Sequence, residues 1–298
     1  MASIRDIRKH ISSVKSIKQI THAMKMVAAA RIKRAQSAII FARPFSDKMD
    51  SLIGDLYCDM GEEDFMASPA YKLFEEKPVA GAVCLVLVTA DKGLCGSFNT
   101  NLLKAALAWL KEYRSKKIYV IAVGRKGRDF LKRLKGLNLE LYFEMVNIFP
   151  KADYAKAEIL GGKVLELFLG RDIERVTLIY NEFKSMLAQR IVADDLLPLK
   201  SRMLSSGAAA ECGDFDFEPS KTKLLEALLP RQLKAQLYRV LLESQAAELA
   251  ARMNAMESAS KNAEELIEGL TFNMNKTRQA VITTELNEIV GGAEALGG

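Results

Sequence analysis

A run near the C-terminus, residues 231–290, contains no proline and a single glycine, Gly269. At alternating steps of three and four, its residues include Met256, Ala259, Ala263, Leu266, Leu270, Asn273, Thr277, Ala280 and Thr284. This spacing predicts one helix with a continuous stripe on one side. At about 1.5 Å per residue, roughly 60 helical residues span about 90 Å, more than the diameter of a compact domain. Such a helix needs a partner along its length.

The N-terminal segment is the one comparable helix in the sequence. Residues 1–43 lack glycine and proline, and apolar residues recur every three or four positions: Ile4, Ile7, Ile11, Val14, Ile17, Ile20, Met24 and Val27. The two segments, 1–58 and 220–292, are therefore predicted to form an antiparallel coiled coil, with the longer C-terminal helix projecting beyond Met1. Its seam is thin, because Ala, Ser, Asn and Thr bury little area at about 25 cal/mol per Å².

The residues between these helices alternate between short apolar runs and helical patterns. We predict strands at 80–89, 117–123, 138–144 and 174–182, helices at 99–114, 125–135 and 153–169, and an edge strand within 186–199. This alternation indicates a Rossmann-like α/β domain, residues 78–200, with a mainly parallel sheet. The fold class is thus mixed, α+β and α/β. Residues 200–219 are predicted to be a loop, and Pro230 to kink or restart the last helix.

Charge is concentrated at the N-terminus. Residues 1–43 hold ten Lys or Arg and one acid, a net charge of +9, which predicts an acidic partner. The sequence contains no apolar run long enough to span a membrane, and no signal peptide follows the basic start. The four cysteines, Cys58, Cys84, Cys95 and Cys212, lack metal-ligand spacing and are predicted to be ordinary thiols.

No residue pattern in the chain predicts catalysis. The turn 91–99 lies between a strand and a helix but has no phosphate-binding glycine pattern, so we predict no nucleotide cofactor. The absence of Cys/His ligand spacing predicts no metal. The two histidines, His10 and His22, lie in one helix. An interaction protein is favoured over two alternatives. One is an enzyme with a ligand at the switch point of the sheet, and the other is a coiled-coil protein whose basic helix binds nucleic acid.

Several segments resemble one family in order along the whole chain. They are 15-KSIKQITHAMKMVAAARIKRAQ-36, 89-TADKGLCGSFN-99, 123-VGRKGRDF-130, 251-ARMNAM-256 and 275-NKTRQAVITTELNEIVGGAEAL-296. The family is the gamma subunit, or central stalk, of F-type ATP synthases, in its bacterial type. The resemblance implies a non-catalytic rotor shaft that transmits torque between ion translocation and ATP synthesis or hydrolysis.

The implied partners are the alpha and beta subunits of the catalytic hexamer, the epsilon subunit and the membrane c-ring, with no nucleic acid. The implied location is the cytoplasmic side of the cell membrane, as a peripheral protein. Met24 and Lys25 are expected near acidic segments of the beta subunits, and Arg278 and Gln279 on a beta-subunit loop. The upper shaft and its bearing end would comprise Thr283, Glu285, Leu286, Ile289 and Val290. Phe217 and Glu218 would face epsilon and the c-ring.

Two positions depart from the patterns of the family. Thr284 stands where many bacterial members carry Gln, which leaves that single contact unsupported. The plastid form has a close cysteine pair in a regulatory insertion, whereas this chain has only Cys212 in the comparable region. Thiol regulation is therefore not expected.

Overall fold

The structure is a computed structural model that describes residues 3–60, 62–77, 81–134, 136–149, 152–199 and 217–296. Its helices are α1 (Ile4–Met60), α2 (Glu62–Met66), a 3-10 helix (Pro69–Leu73), α3 (Phe98–Glu112), α4 (Arg125–Leu131), α5 (Tyr154–Gly170) and α6 (Lys221–Leu296). Its strands are β1 (Ala82–Val88), β2 (Lys117–Val123), β3 (Leu139–Met145), β4 (Ile173–Phe183) and β5 (Gln189–Leu197). The chain divides into two compact units, Met1–Ala29 with Arg252–Gly298, and Ala30–Ala251. No helix in the described ranges combines the length and hydropathy of a membrane span.

The larger unit contains a five-stranded sheet in the order β3-β2-β1-β4-β5. Strands β1 to β4 are parallel to one another, and β5 runs antiparallel to β4 at the edge. The predicted strands and the predicted edge strand are all present. The mixed fold class, with its mainly parallel sheet, is confirmed. The predicted loop falls largely on residues 200–216, which lie outside the described ranges.

Strand β1 forms the centre of this sheet. All seven of its residues are buried, because the strand pairs with β2 and β4 and both of its faces are covered. On one face, Val83, Leu85 and Leu87 belong to a core cluster that also contains Leu102 and Leu110 of α3. A continuous apolar run is what a strand buried on both faces requires, which explains why 80–89 was recognisable from sequence.

The smaller unit contains an antiparallel pair of helical segments. Lys18 Nζ lies 2.7 Å from Glu264 Oε1, and Lys25 Nζ lies 2.7 Å from Glu257 Oε1. Moving seven residues forward along α1 therefore moves seven residues backward along α6. This register confirms the predicted antiparallel coiled coil.

The buried side of α1 differs from the predicted stripe after its first three turns. Ile11 and Val14 are buried as predicted, but Ile17, Ile20 and Val27 are exposed. Burial continues instead at Thr21 and Ala28, each seven residues further along from the last. The apolar residues advance by three at both Val14–Ile17 and Ile17–Ile20, so they rotate away from a seam that keeps a seven-residue repeat.

The stripe predicted on α6 also needs correction. Met256 and Ala263 are buried as predicted, but Leu266 is 47% exposed and Asn273 is exposed. The placement of Leu266 in the seam is wrong. The more covered side runs through Ile267, Leu270, Met274 and Thr277, which keep the alternating steps. Ala280 and Thr284 are exposed as well.

Helices α1 and α6 also pair in an antiparallel way within the larger unit. Gln232 Nε2 donates to Asp50 Oδ1, and Thr222 Oγ1 donates to Met60 Sδ at 3.8 Å. Helix α6 continues through Pro230, so of the two outcomes predicted there, a kink or a restart, the restart is wrong. Helix α5 packs closely on α6, because a Cβ added at Gly161 would lie 2.7 Å from Lys234 Cγ.

Candidate partner-binding surfaces

Among the described residues of the smaller unit, no helix covers the last part of α6. The register of the coil places Ile4, the first residue of α1, opposite residue 278. From Arg278 to Gly292 every residue is exposed. We call residues 278–292 the free end of α6. Of the predicted site residues, it contains Arg278, Gln279, Thr283, Glu285, Leu286, Ile289 and Val290.

One side of the free end is apolar. Ile282, Leu286 and Ile289 follow at steps of four and three, and Val290 lies beside Ile289. Leu286, Ile289 and Val290 are 55%, 67% and 55% exposed. A row of large apolar side chains on an exposed helix is costly in water and is typical of a protein interface. The free end therefore provides an apolar contact surface.

The polar residues of the free end differ in what they offer to a partner. Arg278 makes no ion pair or hydrogen bond within the described residues. Thr283 Oγ1 donates to Gln279 O at 2.9 Å, and Thr284 Oγ1 donates to Ala280 O at 2.9 Å. Since each threonine hydroxyl has one proton, both can only accept from a partner. Arg278 is the strongest free donor here.

Lys25 was predicted to meet a partner, but the coil already supplies it with an anion. Its ammonium lies 2.7 Å from the carboxylate of Glu257, and its side chain is 31% exposed. Met24 beside it is half-buried. The cations of α1 that make no ion pair with another described residue include Arg5, Arg8, Lys9 and Lys15. These four carry most of the unbalanced charge at the start of the helix.

An exposed apolar row on α1 was missed by the sequence reasoning. Ile17, Ile20 and Val27 are 49%, 59% and 52% exposed. The spacing of the sequence could have predicted this exposure. The two successive steps of three before Ile20 break the seven-residue repeat, which continues at Thr21 and Ala28. This row gives α1 a second contact surface beside its charged one.

Phe217 and Glu218 lie near a cavity at the other end of α1. The cavity has a volume of about 600 Å³ and is lined by Met60, Asp64, Ala67, Ser68, Pro69, Phe217, Ser220, Lys221 and Thr222. The Ser68 hydroxyl is buried without a hydrogen-bond partner among the described residues. Glu218 is exposed, whereas Phe217 is half-buried. Of the predicted pair, Phe217 lines the cavity.

The turn after β1 is organised by its own side chains. The Asp91 carboxylate accepts backbone N–H groups from Arg125, Asn147 and Phe149 at 3.1, 2.8 and 3.3 Å. Thr89 Oγ1 donates to Val123 O at 3.1 Å and accepts from Gly127 N at 2.8 Å. A phosphate group would need such N–H donors, and here a carboxylate has taken them. The turn joins the carboxyl ends of three strands.

Gly124 allows the backbone after β2 to approach the backbone of Thr89 after β1 closely. Its φ is +93°, and an added Cβ would lie 2.0 Å from Thr89 O, so only glycine fits at this position.

The cysteines of the chain show no sign of a reactive site among the described residues. Cys84 and Cys95 are buried cysteines, while the Cys58 side chain and Cys212 lie outside the described residues. Burial raises the pKa of the Cys84 thiol, which keeps it protonated and unreactive.

Comparison with known proteins identifies the family. A family model described as ATP synthase matches residues 3–296. The ATP synthase gamma chain of Elusimicrobium minutum is 46% identical over 99% of both chains. The chain belongs to the ATP synthase gamma chain family. The gamma chain of Chlorobium luteolum is 41% identical, again over 99% of both chains. The family resemblance found in the sequence motifs is confirmed.

Solved structures agree with the fold of this gamma-family chain. A central stalk and c-ring structure of the Tetrahymena thermophila mitochondrial ATP synthase contains a chain that is 29% identical, with a TM-score of 0.59. The match covers 81% of this chain and 99% of that one. A chain of the Euglena gracilis mitochondrial ATP synthase is 22% identical with a TM-score of 0.67, over 98% and 94% of the two chains. This second likeness supports the fold alone.

Proposed function

We propose that this chain is the central rotor shaft of an F-type ATP synthase. It transmits torque between ion translocation at the membrane and ATP synthesis or hydrolysis on the catalytic subunits. The observation that carries the proposal is the free end of α6, a helix whose exposed apolar and polar residues have no covering helix in the coil. Because the chain belongs to the ATP synthase gamma family, the alpha and beta subunits are the proteins that would surround the free end.

The proposed mechanism depends on asymmetry. A single shaft presents different side chains in different directions, so three identical catalytic subunits around it would each meet a different surface. The free energy of each contact then shifts its subunit between open and closed populations by a different amount. Rotation of the shaft exchanges these contacts among the subunits. The chain itself performs no bond chemistry in this scheme.

We assign the contacts of the free end by chemistry. Arg278 and Gln279 would bind polar groups on a beta-subunit loop, with the guanidinium as the strong donor. Thr283 would accept a hydrogen bond and Glu285 would supply a negative charge. Leu286, Ile289 and Val290 would turn within an apolar sleeve of the alpha and beta subunits.

Lower on the coil, Met24 and Lys25 would meet acidic segments of the beta subunits. The Lys25–Glu257 ion pair changes how this contact works, because an approaching carboxylate must share or displace Glu257. The unpaired cations Arg8, Lys9 and Lys15 can attract the same segments without such an exchange. The exposed row that contains Ile17 and Ile20 would provide the accompanying apolar contact.

In the larger unit, Phe217 and Glu218 would contact the epsilon subunit and the c-ring. The similar Tetrahymena chain belongs to a structure of a central stalk together with a c-ring, which supports this assignment. The chain would then lie on the cytoplasmic side of the cell membrane as a peripheral component of an ion-transporting enzyme.

Reconstitution with the alpha and beta subunits tests the proposal. We expect one copy of this chain to co-purify with three copies of each, and the complex to hydrolyse ATP. A reversible disulfide between the free end and one beta subunit should stop multiple turnovers and reduction should restore them. A complex that hydrolyses ATP at the full rate with the crosslink closed would overturn the shaft assignment.

A further inference from the structure

A cleft in the larger unit lies between α1, α6 and the residue that precedes the N-cap of α5. Its volume is about 440 Å³, within the range of roughly 300–1,000 Å³ that small-molecule sites occupy. The side chains that matter for binding are Arg31, Arg34, Ala38, Tyr238, Leu242 and Gln245. We call this cavity the arginine cleft. Arg31 and Arg34 lie within the family motif at 15–36, but the sequence did not indicate a cavity there.

Two exposed arginines contribute to the lining of the arginine cleft, and we call their guanidinium groups its rim. Arg31 and Arg34 are three residues apart on α1, so they lie on the same side of the helix. Neither makes a hydrogen bond or ion pair within the described residues. By contrast, Lys234 in the same unit is paired with Glu158 at 3.1 Å. Two unpaired guanidiniums beside a concavity favour a phosphate or carboxylate, which each can bind with two parallel hydrogen bonds.

The rest of the cleft is mainly apolar. Ala38 and Leu242 contribute methyl and methylene groups, and Tyr238 contributes an aromatic ring. Tyr154 contacts that ring edge-on with 5.7 Å between centroids, which helps to hold the wall in place. The cleft therefore combines an anion-binding rim with a surface suited to a flat apolar body.

We propose that the arginine cleft binds a small organic anion, consisting of a phosphate or carboxylate group on an apolar or aromatic body. The rim recognises the charge and the walls enclose the body. An acidic protein segment would use only the rim, and so it accounts for less of the geometry. The proposal is independent of the rotor assignment.

Calorimetric titration of the full chain with 1-naphthyl phosphate tests the proposal. We expect saturable binding of one molecule per chain. Inorganic phosphate, which lacks the apolar body, and 1-naphthol, which lacks the charge, should each bind at least about tenfold more weakly, since each loses one class of contact. Equal binding of inorganic phosphate would overturn the role of the walls, and absence of saturable binding would overturn the site.

Variants locate the binding. Arg31→Gln with Arg34→Gln should weaken the affinity for 1-naphthyl phosphate by about tenfold or more. The matched control, Lys33→Gln with Lys48→Gln, removes two exposed charges from the same helix outside the cleft and should change the affinity less than about twofold. Ala38→Leu keeps both charges but fills part of the cleft, and should also weaken the affinity by about tenfold or more. An equal loss in the lysine control, or unchanged binding in Ala38→Leu, would show that the anion binds elsewhere.

Discussion

Strand β1 and the free end of α6 are both rich in branched apolar residues, yet they have opposite environments. Val83, Leu85 and Leu87 of β1 are fully buried, whereas Leu286 and Ile289 of the free end are 55% and 67% exposed. The difference lies in what covers them. Strand β1 is covered by elements of its own chain, and the free end extends past the residue at which α1 begins. Apolar residues in the first region stabilise the fold, and those in the second are available for a partner.

Replacing a leucine by alanine in each region should give the largest difference in the free energy of unfolding. Leu85→Ala removes a fully buried side chain and should lower the free energy of unfolding by about 2–5 kcal/mol. Leu286→Ala should change it by less than about 0.5 kcal/mol, because its environment in this chain is solvent. Urea unfolding of both variants measures the difference. Equal destabilisation would mean that the free end is covered within the isolated chain.

Within the coil, two isoleucines of α1 test the corrected seam. Ile11→Asp places a charge at a buried position and should destabilise the coil by about 2–4 kcal/mol. Ile17→Asp makes the same change at a position that is 49% exposed and should cost less than about 1 kcal/mol. Urea unfolding followed by a fluorophore placed on the coil would separate the two. If Ile17→Asp were the more damaging, the seam would follow the apolar stripe predicted from sequence.

At the free end, Arg278→Ala with Gln279→Ala should leave the chain folded and the complex assembled. Each charge-assisted hydrogen bond that is lost contributes about 1.5–3 kcal/mol, so ATP hydrolysis should slow by about tenfold or more. Asn275→Ala with Lys276→Ala, also on an exposed part of α6, is the matched control. Assembly and turnover are measured on the same preparations. Full turnover in the Arg278 and Gln279 variant would remove these residues from the mechanism while leaving the apolar surface possible.

Sequence patterns predicted the sheet more accurately than the coil. A strand buried on both faces must be apolar throughout, so β1 could be recognised without knowing its neighbours. Seam positions depend instead on how far each helix rotates toward its partner. Thr21 and Ala28 are buried because the seven-residue repeat brings them inward, although neither is a strongly apolar residue.

Some features of the candidate partner-binding surfaces could be predicted from sequence and others could not. Family motifs predicted residues of the free end as partner contacts, which stays a prediction, and the length of α6 explains their exposure. The pairing of Lys25 with Glu257 could not be predicted, because it depends on the register between segments more than 200 residues apart. The arginine cleft was missed for a similar reason, since its walls come from α1, α6 and the segment before α5.

The smallest predicted effect is the coupling free energy of the Lys25–Glu257 ion pair. Measuring it shows whether Lys25 acts by holding the coil together or by contacting a partner. The side chains of the pair are 31% and 57% exposed, so a double-mutant cycle with Lys25→Ala and Glu257→Ala should give a coupling of about 0.2–1 kcal/mol in the isolated chain. Salt should reduce this coupling, because both charges are accessible to solvent. If Lys25 transfers to a beta-subunit carboxylate in the complex, Glu257→Ala should preserve ATP hydrolysis while Lys25→Ala lowers it. An equal loss of activity in both single variants would instead mean that the pair acts only by holding the coil in register.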